Sequence, residues 1–522
     1  MKKAMQWLIK NKKELIVTSL FCAALFFSTY KLSESPPTWL DEGMIVQTSK
    51  TLVEEGVYSV KVAPDTYISP GFISTSYPVT FPIALSFKLF GVGLLQARSV
   101  MVIYILAFLL SIYFLAKRLF KNEWLMIAGL ALLVSFPPLY GNGKNVLGEV
   151  PGLFFLTVFL IFIDRIWKGD RRISQFILAG LTLGLCIATK PIFILLLPVV
   201  AMWLLYVWLK KPEVFGRGII KNSLYFIVCA LLPLVAWIMI QFRGDSFVAT
   251  LSYYANPHSV NLATSLLSNI KAFLTAPESL YFFALYLVWL TAVTFRVWSK
   301  KNIEVAELVA FGFSTLVLLA YFRNPAYYRY FFLAEVYCLL FFVQTLNFII
   351  GTRPKAADVT SSTTENFLQE IFLRNFLVKI SCVWSRKSHR PLSGAGISIF
   401  VIVFALIIFQ SYQLLFHSWV SQYYGSTKTR DCVAAIGKIP QAKSIFFYQD
   451  PELVIFRAGG NYYQYMDSIE TDQSRTEKKR LIKQGVPDIV AVSSEIMPQI
   501  QDILEKYVSS SSCDRYQILN KK

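Results

Sequence analysis

Histidine and paired cysteine are what this sequence has least of. His258, His389 and His417 are scattered over 522 residues, so a histidine-built metal centre has no support. Seven cysteines form no CxxC pair and no metal-ligand spacing, which excludes zinc ribbons and thioredoxin-like redox chemistry. Cys22, Cys186, Cys229 and Cys338 lie inside apolar runs and read as packing residues. Cys432 and Cys513 fall in a polar region, and whether they pair is left open by the sequence. There is no glycine-rich phosphate loop, which argues against a nucleotide-bound donor. Charged residues make up only 16% of the chain while hydrophobic residues reach 55%, too apolar for an average soluble protein.

What is present explains that imbalance. Apolar runs of about 20 residues recur along most of the length, each long enough to cross a bilayer as a helix. Aromatic residues at 16% suit membrane interfaces. The formal charge of +19 invites a nucleic-acid partner, but the basic residues cluster in short loops between apolar runs. That distribution is topological and predicts no nucleic-acid binding. Lys2, Lys3, Lys10, Lys12 and Lys13 place the N-terminus in the cytoplasm, ahead of a retained anchor rather than a cleaved signal.

Read in order, the chain predicts a mainly α, polytopic membrane protein of about 11 spans with a small extracytoplasmic α/β domain at the C-terminus. The first span is Glu14 to Tyr30, followed by a large outer loop, 31–96, in which Pro78 to Phe90 reads as a helix lying in the interface. Further spans begin near Ala97, Trp124, Glu149, Ile173, Ile192 and Asn222. A second outer loop covers 243–277, with a surface helix near Leu262 to Leu274. Spans from Glu278, from Ile303 and up to Ile350 complete a catalytic module, 1–350. Residues 351–391 form a basic cytoplasmic linker, 392–416 the last span, and 417–522 the outer domain. In that domain Ser444 to Tyr448 and Asp488 to Val492 read as buried strands, with helical patterns over Thr476 to Gln484 and Met497 to Tyr507. An odd span count puts the C-terminus outside.

Polar residues on the outer face are few. Asp41 and Glu42, adjacent after Pro36-Pro37, come first: one carboxylate can face a cavity and take a proton while the other braces its surroundings. Glu149 opens the fourth span, where a carboxylate also suits the helix dipole. Arg329 and Arg323 stand in an aromatic cluster at an outer boundary, fit either to hold a phosphate or to anchor the interface. Arg98 and Lys190 are weaker candidates of the same kind, and Lys144 shares an outer loop with Glu149. Carboxylates and phosphate-binding cations on one face suit transfer from a lipid-borne phosphate ester to a hydroxyl acceptor, with electrostatic stabilisation of the leaving phosphate.

In this order the motifs resemble those of GT-C superfamily membrane glycosyltransferases, nearest the protein O-mannosyltransferase, aminoarabinose-transferase and RgtA-like group. The resemblance covers roughly Trp39 to Tyr337. It rests on Asp41-Glu42-Gly43, Tyr77-Pro78, Lys88-Leu89-Phe90-Gly91, Ala97-Arg98-Ser99, Glu149-Val150-Pro151, Thr189-Lys190-Pro191 and Arg329-Tyr330. It implies a polyprenyl-phosphate sugar donor, a lipid, glycan or protein acceptor, inversion without a covalent enzyme intermediate, and location in a prokaryotic cell membrane among membrane lipids. It implies Asp41 as general base and Glu149 as an orienting group. Arg329 and Lys190 would contact the phosphate, with Lys144, where relatives often carry an arginine-type residue, as a further candidate for that contact. It implies no required metal, although Asp41, Glu42 and Glu149 could hold a divalent cation if they converge. A transporter or lipid flippase is the main alternative, but no internal repeat or mid-span charge supports it. A non-catalytic membrane scaffold is the other.

Overall fold

A computed structural model describes residues 11–216, 218–242, 247–248, 252, 260–275, 277–299, 303–323, 331–351, 394–416, 428–457, 459, 461–466 and 472–522. The basic linker and Arg329 lie outside the described residues.

The first apolar run forms α1, Lys12–Thr29. The expected outer loop then holds regular structure of its own, beginning with α2, Leu40–Glu55. Asp41 and Glu42 occupy the first turn of α2, where carboxylates complement the helix dipole. Gly56 ends it in the left-handed region at φ 74°, a conformation glycine adopts without steric cost. A short hairpin of β1 (Val60–Ala63) and β2 (Thr66–Ile68) follows. Next comes α3, Tyr77–Phe90, whose exposed Phe81, Leu85 and Leu89 form an apolar stripe, as expected of a helix in the interface.

The bundle continues with α4 (Leu94–Leu119), α5 (Glu123–Val134), α6 (Pro137–Lys144), α7 (Glu149–Trp167), α8 (Ile173–Thr189), α9 (Leu196–Lys210) and α10 (Ile219–Gln241). Between α5 and α6 the chain bends by 54°. The cause is Pro137-Pro138, which cannot continue the hydrogen-bond ladder of the preceding turn. The expected third span is therefore a bent pair of helices rather than one continuous helix. Then come α11 (Leu262–Thr275), α12 (Pro277–Trp298), α13 (Val305–Arg323), α14 (Phe332–Gly351) and α15 (Gly394–Phe416).

Every one of the expected spans coincides with a helix or helix pair. Eight helices among the described residues are long and apolar enough to cross a membrane, or nine with the bent pair as one span. The other two are α1 and the 17-residue α8.

The C-terminal region begins with α16, Lys428–Gly437, and builds a five-stranded sheet. Its strands are β3 (Ile445–Tyr448), β4 (Tyr462–Tyr465), β5 (Ile489–Ser493), β6 (Tyr507–Cys513) and β7 (Tyr516–Lys521), with α17 (Asp472–Gln484) packed alongside. The order is β4-β3-β5-β7-β6: β3 runs parallel to both β4 and β5, while β7 is antiparallel to β5 and β6. The two expected strands are the central parallel pair, buried throughout. The helix expected over Met497 to Tyr507 is instead a 3-10 segment, Met497–Ile503, leading into β6. Cys432 and Cys513 form a disulfide joining α16 to β6.

Candidate active site

Glu42 is fully buried, so the acidic pair is not a solvated loop start. Its carboxylate receives Arg98 Nε at 2.9 Å and Nη2 at 2.7 Å, a two-pronged ion pair between α2 and the start of α4. Glu42 Oε1 also accepts the backbone N–H of Val146 at 3.0 Å. Arg98 further donates to the Leu32 carbonyl at 3.0 Å and to Asn145 Oδ1 at 3.1 Å. One guanidinium thus ties together the end of the first span, the first turn of α2, and the loop that leads into α7.

That geometry corrects one expectation. Arg98 is fully buried and makes four hydrogen bonds to protein groups, so it is not open to a donor phosphate. Removing a bidentate cation from a buried carboxylate is costly, which makes the pair a fixed brace. Glu42, named with Asp41 as a candidate pair in which one carboxylate braces its surroundings, is the one that holds the start of α2 in place. Asp41, one residue earlier, is half-buried in the same turn.

Val146, to which Glu42 is bonded, lies three residues before Glu149 at the start of α7. Glu149 Oε1 accepts Lys190 Nζ at 2.6 Å, a nearly buried ion pair between α7 and the end of α8. The segments meet closely because residue 148 is glycine. A Cβ there would lie 3.0 Å from Lys190 Cβ and 3.1 Å from Thr75 Oγ1, tighter than ordinary contacts. Ser76 N also donates to the Thr189 carbonyl at 3.2 Å. Thr75 and Ser76 are both buried, and their hydroxyls have no hydrogen-bond partner among the described residues. Sequence reasoning passed over these two hydroxyls beside the Glu149–Lys190 pair. The one available signal was their position immediately before Tyr77-Pro78.

Lys144, also expected to contact phosphate, is fully buried and donates to the Tyr30 carbonyl at 2.6 Å. It links the end of α6 to the end of the first span. Asp41, Glu42, Glu149 and Lys190 are therefore gathered at one end of the bundle, with Arg98 and Lys144 as internal ties. Arg323 is exposed at the end of α13. Among the described residues no group of three or more histidine, cysteine, aspartate or glutamate side chains is placed to hold a metal ion. Glu42 and Glu149 are each engaged by a cation instead.

The C-terminal domain grips α2 from the other side. Gly43 packs so tightly that a Cβ would sit 2.4 Å from the Glu452 nitrogen. Gln47 donates to the Pro451 carbonyl at 2.7 Å and accepts from Gln464 Nε2 at 2.7 Å. Lys50 reaches the Val454 carbonyl at 3.5 Å, and Glu54 accepts from Gly459 N at 3.3 Å. Residues 43, 47, 50 and 54 follow helical spacing, so one complete face of α2 is covered. Burial pushes the Lys50 ammonium down to about 8, with Glu54 opposing the shift.

Comparison with solved structures identifies the fold. ArnT from Cupriavidus metallidurans, in its structure bound to undecaprenyl phosphate, superposes with a TM-score of 0.60 at 12% identity, over 99% of this chain and 98% of that one. The archaeal oligosaccharyltransferase AglB from Archaeoglobus fulgidus, in complex with an inhibitory peptide and a dolichol-phosphate, gives 0.53 at 11% identity, over 99% of this chain and 75% of that one. The arabinofuranosyltransferase AftD from Mycobacteria gives 0.53 at 10% identity, over 98% and 40%. The chain has the fold of the GT-C glycosyltransferases, an assembly of membrane helices with an appended domain. Within it, residues 77–237 match the dolichyl-phosphate-mannose-protein mannosyltransferase family. No curated protein sequence matches the chain.

Proposed function

We propose that this protein is an integral-membrane glycosyltransferase that moves a sugar from a polyprenyl-phosphate donor to a hydroxyl acceptor at the outer membrane face, with inversion. The observation that carries the reading is the hydrogen bond from Val146 N to Glu42. It couples the turn bearing Asp41 to the loop that presents Glu149 and, through it, Lys190.

In the reaction, the acceptor oxygen attacks the anomeric carbon and the bond from that carbon to the phosphate oxygen breaks. Asp41 takes the hydroxyl proton as general base. The phosphate leaves on its lipid, with its charge met by Lys190 and by Arg329. Glu149 holds the Lys190 ammonium in position, and Thr75 and Ser76 offer hydroxyl donors next to that pair. The donor class is supported by the fold likeness to proteins captured with undecaprenyl phosphate or dolichol-phosphate. No metal is required in this scheme. The N-terminus is cytoplasmic, and the C-terminal domain and the site share the outer face, in accord with the basic inner loops.

The test is transfer by purified protein from a panel of polyprenyl-phosphate sugars. Asp41→Asn should lower the rate by ~10²–10⁴ while the unfolding midpoint stays at the wild-type value. An Asp41→Asn variant that transfers at the wild-type rate rules out the assigned base. A wild-type protein that transfers no sugar from any such donor rules out the activity.

A further inference from the structure

A second lipid-facing feature lies at the opposite end of the bundle from the site. A groove of about 650 Å³ runs between α4 and α7. Leu110 and Phe114 on α4 face Phe154, Val158 and Phe162 on α7 across it. Leu110 and Phe114 are each nearly half exposed, so the groove opens sideways out of the bundle. At one end it is lined by three cations: Lys117, Arg118 and Arg165. Lys117 lies roughly 28 Å along α4 from Arg98, at about 1.5 Å per residue. The groove is thus separate from the site that Arg98 braces.

The three cations are not equivalent. Arg118 donates to Asp164 at 2.9 Å, and Lys168 reaches the same buried carboxylate at 2.9 Å. Lys117 and Arg165 have no carboxylate within ion-pairing distance among the described residues. Their contacts are with rings of their own helices, Lys117 5.9 Å from the Tyr113 centroid and Arg165 5.8 Å from that of Phe162. Nearby Glu123 and Asp170 are already paired with Lys13 and Arg172. Among the described residues, two cations at the mouth of an apolar channel are therefore outside any direct ion pair.

We propose that this groove binds one anionic glycerophospholipid, with an acyl chain between α4 and α7 and its phosphate between Lys117 and Arg165. Apolar walls at chain depth and cations at headgroup depth match that ligand, and a lipid with net negative charge gains more from two cations than a net-neutral one. The basic ends of α4 and α7 belong to the cytoplasmic side by charge, so the lipid is drawn from the inner leaflet.

Native mass spectrometry of the purified full-length chain tests this, with phosphatidylglycerol and phosphatidylcholine of identical acyl chains as probes. Wild type should retain one phosphatidylglycerol at concentrations where phosphatidylcholine is lost. Lys117→Gln with Arg165→Gln should weaken retention roughly thirty-fold, equivalent to about 1 kcal/mol per cation. Lys117→Arg with Arg165→Lys should restore it. Val158→Trp, which fills the channel and leaves the charges intact, should also weaken it. Equal retention of the two lipids overturns the proposal, as does a glutamine double variant that binds like wild type. Undiminished binding by Val158→Trp rejects a seated chain and leaves only surface attraction.

Discussion

Arg98→Met separates a brace from a phosphate contact. Methionine keeps much of the arginine stem but removes the guanidinium, leaving the Glu42 carboxylate in a fully buried position with only the Val146 N–H. Stranding one partner of a buried ion pair costs about 3–5 kcal/mol. The Leu32 carbonyl and the Asn145 side chain also lose a donor, at about 1 kcal/mol each. A total of about 5–7 kcal/mol is a large part of a typical native stability of about 5–15 kcal/mol. The unfolding midpoint in detergent should fall by several degrees. Adding Glu42→Gln should recover part of the loss, because a neutral amide tolerates burial better than a lone carboxylate. A coupling of about 2 kcal/mol between the two sites is expected for groups in direct contact. Transfer rates measured against donor concentration complete the test. The brace predicts a reduced kcat with little change in donor KM, because it sets the pose of Asp41 and touches no substrate. An unchanged midpoint with a raised donor KM would refute this reasoning and return Arg98 to the phosphate.

Gly43→Ala should cut kcat at least tenfold, since its Cβ would meet backbone atoms of Glu452 that cannot rotate away; wild-type rates would show that α2 and the C-terminal domain can part without consequence. Lys50→Met should raise the unfolding midpoint at pH 7. Because burial lowers the ammonium to about 8 from its ordinary 10.5, the docked state carries a penalty of ~3 kcal/mol below pH 8. That penalty is relieved as pH rises from 8 to 10.5, so midpoints of variant and wild type should converge over that window, and a gap independent of pH would contradict it. Chelation is expected to leave transfer unchanged; loss in chelator with recovery on adding magnesium or manganese would show a metal requirement.

The membrane helices were legible because each is an apolar run flanked by basic residues at one end, a local pattern. α2 was not, although the acidic pair that opens it was singled out. Its middle, Gln47-Thr48-Ser49-Lys50-Thr51, reads as a polar loop and yet is buried. The partners that satisfy Gln47 and Lys50 come from the C-terminal domain, 404 residues away in both cases. Likewise the Glu42–Arg98 and Glu149–Lys190 pairs join residues 56 and 41 positions apart. The sequence marked all four residues without showing which held which. β6 was hidden for another reason: Ser509 to Ser512 are exposed on an edge strand, so no buried alternation marks it.

The pairings account for why two adjacent acids have separate surroundings. Successive residues on a helix point roughly 100° apart, at about 3.6 residues per turn. Glu42 faces the bundle and is fixed by Arg98 and Val146. Gly43 faces the C-terminal domain and is fixed by the backbone at Pro451 and Glu452. Asp41, one step back, is left on a third side, half-buried. Two rigid contacts on neighbouring faces define the rotation of the first turn, and with it the direction of the Asp41 Cα–Cβ bond. A change anywhere along 451–456 would therefore reach the proposed base through Gly43, Gln47 and Lys50. By that route the C-terminal domain can govern the proposed transfer step from a distance, through the orientation of α2.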